Sequence, residues 1–116
     1  MPLIRSWLDS ANAADCPFPL NNLPCGVFSI DGQSARCGIA IGDMILNVTG
    51  LEADGLLDLP GGPYLQVPFW NRLMAAGPTI WADLRARLTA LLAEGSEWQA
   101  QATPYLTRQD AARLHL

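Results

Sequence analysis

The sequence predicts a mainly β domain with α-helices: an extended N-terminal arm, a small antiparallel sheet curled into a barrel, and two or three helices in the second half. Three observations carry that expectation. Short β-branched and aromatic runs between residues 27 and 48 are separated by tight-turn signals, three prolines crowd residues 15–26, and apolar residues recur at helical spacing from Phe69 onward. At 116 residues the chain is one domain by length, and a domain of that size buries a core without metal or disulfide staples.

The arm comes first. Residues 15–26 read Asp-Cys-Pro-Phe-Pro-Leu-Asn-Asn-Leu-Pro-Cys-Gly. Its prolines remove backbone donors and push the preceding residues to extended geometry, so neither helix nor central strand fits. Phe18, Leu20 and Leu23 are the expected anchors. Residues 1–14 are set apart as a lead segment, and the domain proper is placed at 15–116. Strands follow. Val27-Phe28-Ser29-Ile30 is β-branched and aromatic, with Asp31-Gly32 as its turn. The run from Arg36 to Ile41 alternates, placing Cys37, Ile39 and Ile41 on one face. Gly42-Asp43 then leads into residues 44–48, and a two-residue loop with Gly first predicts a type II′ hairpin. From Thr49 to Pro68 glycines and prolines dominate, and Leu56, Leu57 and Leu59 suggest at most a short turn or strand.

The second half is helical. Phe69, Trp70, Leu73 and Met74 share a face, and Gly77 stands where a helix stops. Pro78 suits the first turn of the next helix, along which Ile80, Trp81, Leu84, Leu88, Leu91 and Leu92 recur opposite Asp83, Arg85 and Arg87. Gly95 ends it. Thr107 to Asp110 has the spacing of an N-cap and its N3 partner, predicting a short helical turn. Leu114-His115-Leu116 reads as a strand interrupted at a domain boundary.

Composition narrows the function. Hydrophobic residues make up 50% and charged residues 16%, an apolar surplus that suggests a surface built to pack against something else. The net charge of −4, carried with seven Arg and no Lys, lacks the basic footprint of a nucleic-acid binder. No apolar run reaches the roughly 20 residues that span a bilayer, and residues 1–12 lack the order of a secretory signal. The expected location is the cytoplasm, with Cys16, Cys25 and Cys37 as free thiols.

No catalytic, cofactor-binding or metal-binding residue is assigned. Cys25 or Cys37 with His115, the lone histidine, is the conceivable nucleophile–base pair, but nothing in the spacing favours it. Asp54 with Asp58, and Glu94 with Glu97, could each share a helix face, yet such pairs are more often solvated surface than acid–base dyads. Ser10, Ser29 and Ser34 lie in no nucleophile elbow, and no phosphate loop is present. The tryptophans, Trp70 and Trp81 above all, read as core.

Three segments in order resemble the amino-terminal domain of the fumarylacetoacetase family. Residues 18–28 (Phe-Pro-Leu-Asn-Asn-Leu-Pro-Cys-Gly-Val-Phe) are similar to its Phe-Pro-x-x-Asn-Leu-Pro-x-Gly-Val-Phe, and residues 36–46 to its Arg-x-Gly-Val-Ala-Ile-Gly-Asp-x-Ile-Leu. The helical stretch with Asn71 to Gly77, Trp81, Arg85 and Leu88 to Leu92 is the third. The family usually has an aromatic residue where Cys25 stands and an acid where Asn47 stands. The resemblance implies an SH3-like barrel with helices, followed by a catalytic domain. That domain carries calcium or magnesium, its carboxylate ligands and a His–Glu pair that activates water to cleave 4-fumarylacetoacetate into fumarate and acetoacetate. It further implies a homodimeric parent and a non-catalytic role for this domain, with no cofactor of its own. The competing reading is a free-standing SH3-like module that grips proline-rich peptides, against which stands the placement of the aromatics on helices.

Overall fold

The structure, a computed structural model, describes residues 6–12, 25–30, 35–67 and 70–115. Most of the predicted arm, the Asp31-Gly32 turn, Cys16, Ser34 and Phe69 therefore lie outside the described residues.

Five antiparallel strands form one sheet in the order β4-β3-β2-β1-β5. They are β1 (Cys25–Ser29), β2 (Arg36–Ile41), β3 (Met44–Asn47), β4 (Leu106–Arg108) and β5 (Arg113–His115). The predicted β2–β3 hairpin forms, with Ile41 paired to Met44 across the two-residue loop. Gly42 has φ 58° while Asp43 keeps a negative φ, the combination of a type II′ rather than a type I′ turn. Two distant segments grip this turn. Gln109 donates its backbone N–H to Asp43 O and its side-chain amide to Gly42 O and Met44 O, and Ser10 Oγ donates to Asp43 Oδ1 at 2.8 Å.

The sheet is open, because β4 and β5 occupy its two edges without pairing to each other. It is nevertheless curled. In a flat five-stranded sheet the edges stand about 19 Å apart, yet Gln109–Ala112 alone joins β4 to β5 and includes a 3-10 turn at Gln109–Ala111. Four residues, three of them in that compact conformation, cannot cover the flat distance. The edges must approach, which is the curl the sequence predicts.

Helix α1 (Val48–Ala53) follows β3 directly, in a stretch for which the sequence predicts no helix. Asn47 caps it, its Oδ1 accepting the Gly50 N–H at 2.9 Å. Aspartate and asparagine are both strong N-caps, so either would serve at position 47. Asn47→Asp should leave stability within about 0.5 kcal/mol, and Asn47→Ala should cost about 1 kcal/mol, both measurable by urea unfolding.

Helix α2 (Asn71–Ala75) and α3 (Pro78–Leu92) stand where expected, with Pro78 in the first turn of α3 and Gly77 at φ 99° before it. Leu84, Leu88, Leu91 and Leu92 of α3 are buried as predicted, and Asp83 pairs with Arg87 at 3.1 Å on the outer side. Met74 departs from the expectation: it is 51% exposed, because Leu73 of α2 and Trp70 at its N-cap are the residues that turn inward. Helix α4 (Gln99–Ala102) was not foreseen. Thr107 does not cap a helix; it pairs with Ile45 in β4, and the 3-10 turn that follows has no side-chain cap.

The core lies between one face of the sheet and the helices. Cys37, Ile39 and Ile41 meet Leu46, Val48, Leu51, Leu73, Leu84 and Leu88 there. Residues 6–12 belong to this packing as well. Trp7 and Leu8 lie against the core, and Ser6 Oγ and the Trp7 backbone N–H both donate to Leu92 O, while Trp7 Nε1 donates to Leu91 O at 2.9 Å. These donors satisfy carbonyls that the end of α3 leaves without helical partners.

Candidate functional site

The sheet register sets the backbone spacing between Cys37 and His115. Val27 pairs with Cys37 on one side and with His115 on the other. Their backbones are thus two strand spacings, roughly 10 Å, apart, with Val27 between them. Cys37 is fully buried, its Sγ donates to Val67 O at 3.4 Å, and burial pushes its thiol up to about 11. Desolvation also raises the Cys25 thiol, against smaller lowering effects from a backbone hydrogen bond and Arg85. Raised thiols stay protonated at neutral pH, the opposite of an activated nucleophile.

The carboxylate pairs do not share helix faces. Asp54 is the C-cap of α1 and accepts the Tyr105 hydroxyl, whereas Asp58 lies in the following loop. Glu94 and Glu97 both come after α3 has ended at Leu92. Ser10 is spent on the hairpin turn, and Ser29 sits in β1 with a partner of its own. Trp70 is buried and donates Nε1 to Gly26 O at 2.8 Å; its ring meets Trp81 edge-on at 6.0 Å. Trp7 and Trp81 are half-buried, and Trp98 is 44% exposed, so the core reading holds for three of the four. Among the described residues no three His, Cys, Asp or Glu gather to hold a metal ion, and no helix is long and apolar enough to cross a membrane.

The polar centre of the domain is one the sequence did not reveal. Glu52 of α1 accepts the Tyr64 N–H at Oε2 and the Leu65 N–H at Oε1, both at 2.9 Å. Gln66 Nε2 joins it at Oε1 and also donates to Thr49 O. One turn earlier, Thr49 Oγ1 donates to Leu65 O at 2.7 Å and accepts the Cys37 N–H at 3.0 Å. Two side chains of α1 therefore tie the glycine- and proline-rich loop to the sheet. Two open concavities of about 500 Å³ flank this tie, one lined by Glu52, Asp58 and Pro63, the other by Arg36, Thr49 and Gly50. Glu52 and Thr49 already bond the backbone, so their chemistry is structural. No local pattern announces the tie, because its partners stand 12 and 13 residues further along.

With this geometry in hand, residues 21–116 match the family described as Fumarylacetoacetase N-terminal. The chain belongs to that family. Relatives agree: the fumarylacetoacetase of Caenorhabditis elegans is 43% identical over 82 residues, covering 66% of this chain and 19% of that protein. That of Rattus norvegicus is 36% identical over 117 residues (90% and 26%), and that of Arabidopsis thaliana 33% over 96 (79% and 22%). The chain spans about a fifth to a quarter of the curated relatives it matches. The resemblance seen in the β2–β3 hairpin and the helical stretch falls inside the family match. The fumarylacetoacetase N-terminal domain thus presents here as a curled open sheet backed by helices, with its polar side chains used to bind its own backbone.

Proposed function

We propose that this chain is the non-catalytic accessory domain of a fumarylacetoacetase-like hydrolase. Coverage is the observation that supports it most: the family match runs from residue 21 to 116, yet the chain accounts for 19 to 26% of the three relatives above. In this reading a catalytic domain of the same polypeptide holds calcium or magnesium. There water cleaves a carbon–carbon bond of 4-fumarylacetoacetate, giving fumarate and acetoacetate in tyrosine and phenylalanine breakdown. The parent is cytoplasmic and homodimeric, and this domain, an SH3-like barrel left open at one seam, packs on the catalytic domain and stabilises it. The burial of Cys37, which raises its thiol, favours an accessory over a catalytic role.

The test compares the 116-residue chain with the longer parent protein. Consumption of fumarylacetoacetate, followed by loss of its near-ultraviolet absorbance and by fumarate release, should occur with the parent alone. Turnover by the 116-residue chain would overturn the proposal.

A further inference from the structure

We propose that Asp54-Gly55, at the end of α1, is a modification site at which the chain converts to an isoaspartyl linkage through a succinimide, at a rate governed by the hydrogen bond from Tyr105. Among the described residues it is the one Asp-Gly step, and the fold itself calls for both residues. Asp54 is the C-cap of α1, and Gly55 follows at φ 83°, the left-handed position that ends helices and favours glycine. The Asp54 carboxylate accepts the hydroxyl of Tyr105, fastening α1 to the 3-10 turn Thr103–Tyr105 that leads into β4. Asp54 and Gly55 are exposed, and a Cβ built on Gly55 meets nothing within 4 Å, so water reaches the pair.

The chemistry needs no co-reactant but water. The Gly55 nitrogen bonds to Asp54 Cγ, and its proton leaves with the carboxyl hydroxyl as water. Water then adds back to the imide: opening at Cγ restores aspartate, and opening at the Asp54 main-chain carbonyl leaves the chain running through Cγ beside a free α-carboxylate. Glycine favours the attack, because it puts no side chain next to the nucleophilic nitrogen. Three features of the folded chain oppose it. The Gly55 N–H donates to Glu52 O at 3.2 Å. At ψ 3° the Gly55 nitrogen eclipses the nitrogen of Asp54 rather than its Cβ, so ring closure requires the cap to turn. Tyr105 holds the carboxylate, and that bond raises its phenol, which therefore stays protonated and donating at neutral pH. The first two belong to a helix end, which opens locally without the rest of the fold. The third ties that end to a segment 51 residues further along the chain, and so sets how often it opens with the carboxyl at liberty.

The test ages the folded 116-residue chain at neutral pH and body temperature. Peptide mapping by mass spectrometry follows, with electron-transfer fragmentation to separate isoaspartate from aspartate at equal mass. Tyr105→Phe keeps the ring that packs against the core and removes only the hydroxyl. It should speed isoaspartate formation at position 54 roughly tenfold, the factor that one hydrogen bond of ordinary net strength imposes. Ile39→Val weakens the buried core by a methylene without touching the Asp54 contacts, and should leave that rate unchanged. Asp54→Glu, whose ring would need an additional atom, should give no isomer there. An unchanged rate in Tyr105→Phe would overturn the proposal, and so would an equal rise in Ile39→Val, which would make global unfolding the route.

Discussion

Gly38→Ala should destabilise the domain by about 3 kcal/mol, at the upper end of what overpacking a closed core costs. Gly38 pairs with Gly26 on one side and with Asn47 on the other, in the middle of the sheet. A Cβ at this position would stand 2.7 Å from Ile45 Cγ2 and 2.7 Å from Phe28 Cδ1. Both neighbours are buried, Phe28 at 1% and Ile45 at 4% exposure, so neither is a flexible end that can swing into solvent. The two lie on the face of the sheet turned away from the main core, and the missing side chain at Gly38 is what lets them come together. For a domain of this size the loss corresponds to a fall of roughly 10 °C in Tm. Gly26→Ala is the matched control: it sits on the cross-strand partner with open space around it, and should shift stability by less than about 0.5 kcal/mol. Equal effects of the two substitutions in urea unfolding would show that strand propensity, not the close approach, sets the cost.

That pairing of glycines illustrates what a sequence shows and what it hides. The hairpin at Gly42-Asp43 was legible because a turn is a local event: φ preference and loop length are properties of two adjacent residues. Helix α3 was legible for a similar reason, its leucines repeating with the period of the helix itself. Met74 misled because it shares that period with Trp70 and Leu73, and periodicity cannot tell a buried position from an exposed one at the edge of the apolar face. Strand β4 is not legible because three residues carry too little alternation; its pairing with β3 places it, and that pairing joins Leu46 to Leu106 and Met44 to Arg108, far apart along the chain. Glu52 and Thr49 carry no signal in the sequence, because their partners are backbone groups of a loop that has no pattern of its own.

Glu52→Ala is the second large effect, also about 3 kcal/mol. Hydrogen bonds to a charged acceptor contribute about 1.5–3 kcal/mol each, and this carboxylate takes two backbone N–H groups and one side-chain amide. The sum is not reached, because the loop can open and return its N–H groups to water. Opening has its own cost, since Leu65 is fully buried and must follow. Glu52→Gln keeps one acceptor oxygen and presents an amide NH₂ to the second N–H, so it should lose about half as much. Thr49 makes the role separable from simple packing, because its hydroxyl holds the carbonyl of the same Leu65 whose N–H Glu52 holds. Once either anchor is gone the loop is partly free, and removing the second costs less. Thr49→Val and Glu52→Ala should therefore be less than additive by about 1 kcal/mol, as coupled neighbours are. Amide exchange should report the same event locally, with protection at Tyr64 and Leu65 falling while that of Ile39 and Leu46 in the central strands follows global stability. Strict additivity, with exchange at Tyr64 and Leu65 unchanged, would mean that the loop is held by the burial of Leu57, Leu59 and Leu65 alone, and that the carboxylate only decorates a conformation fixed without it.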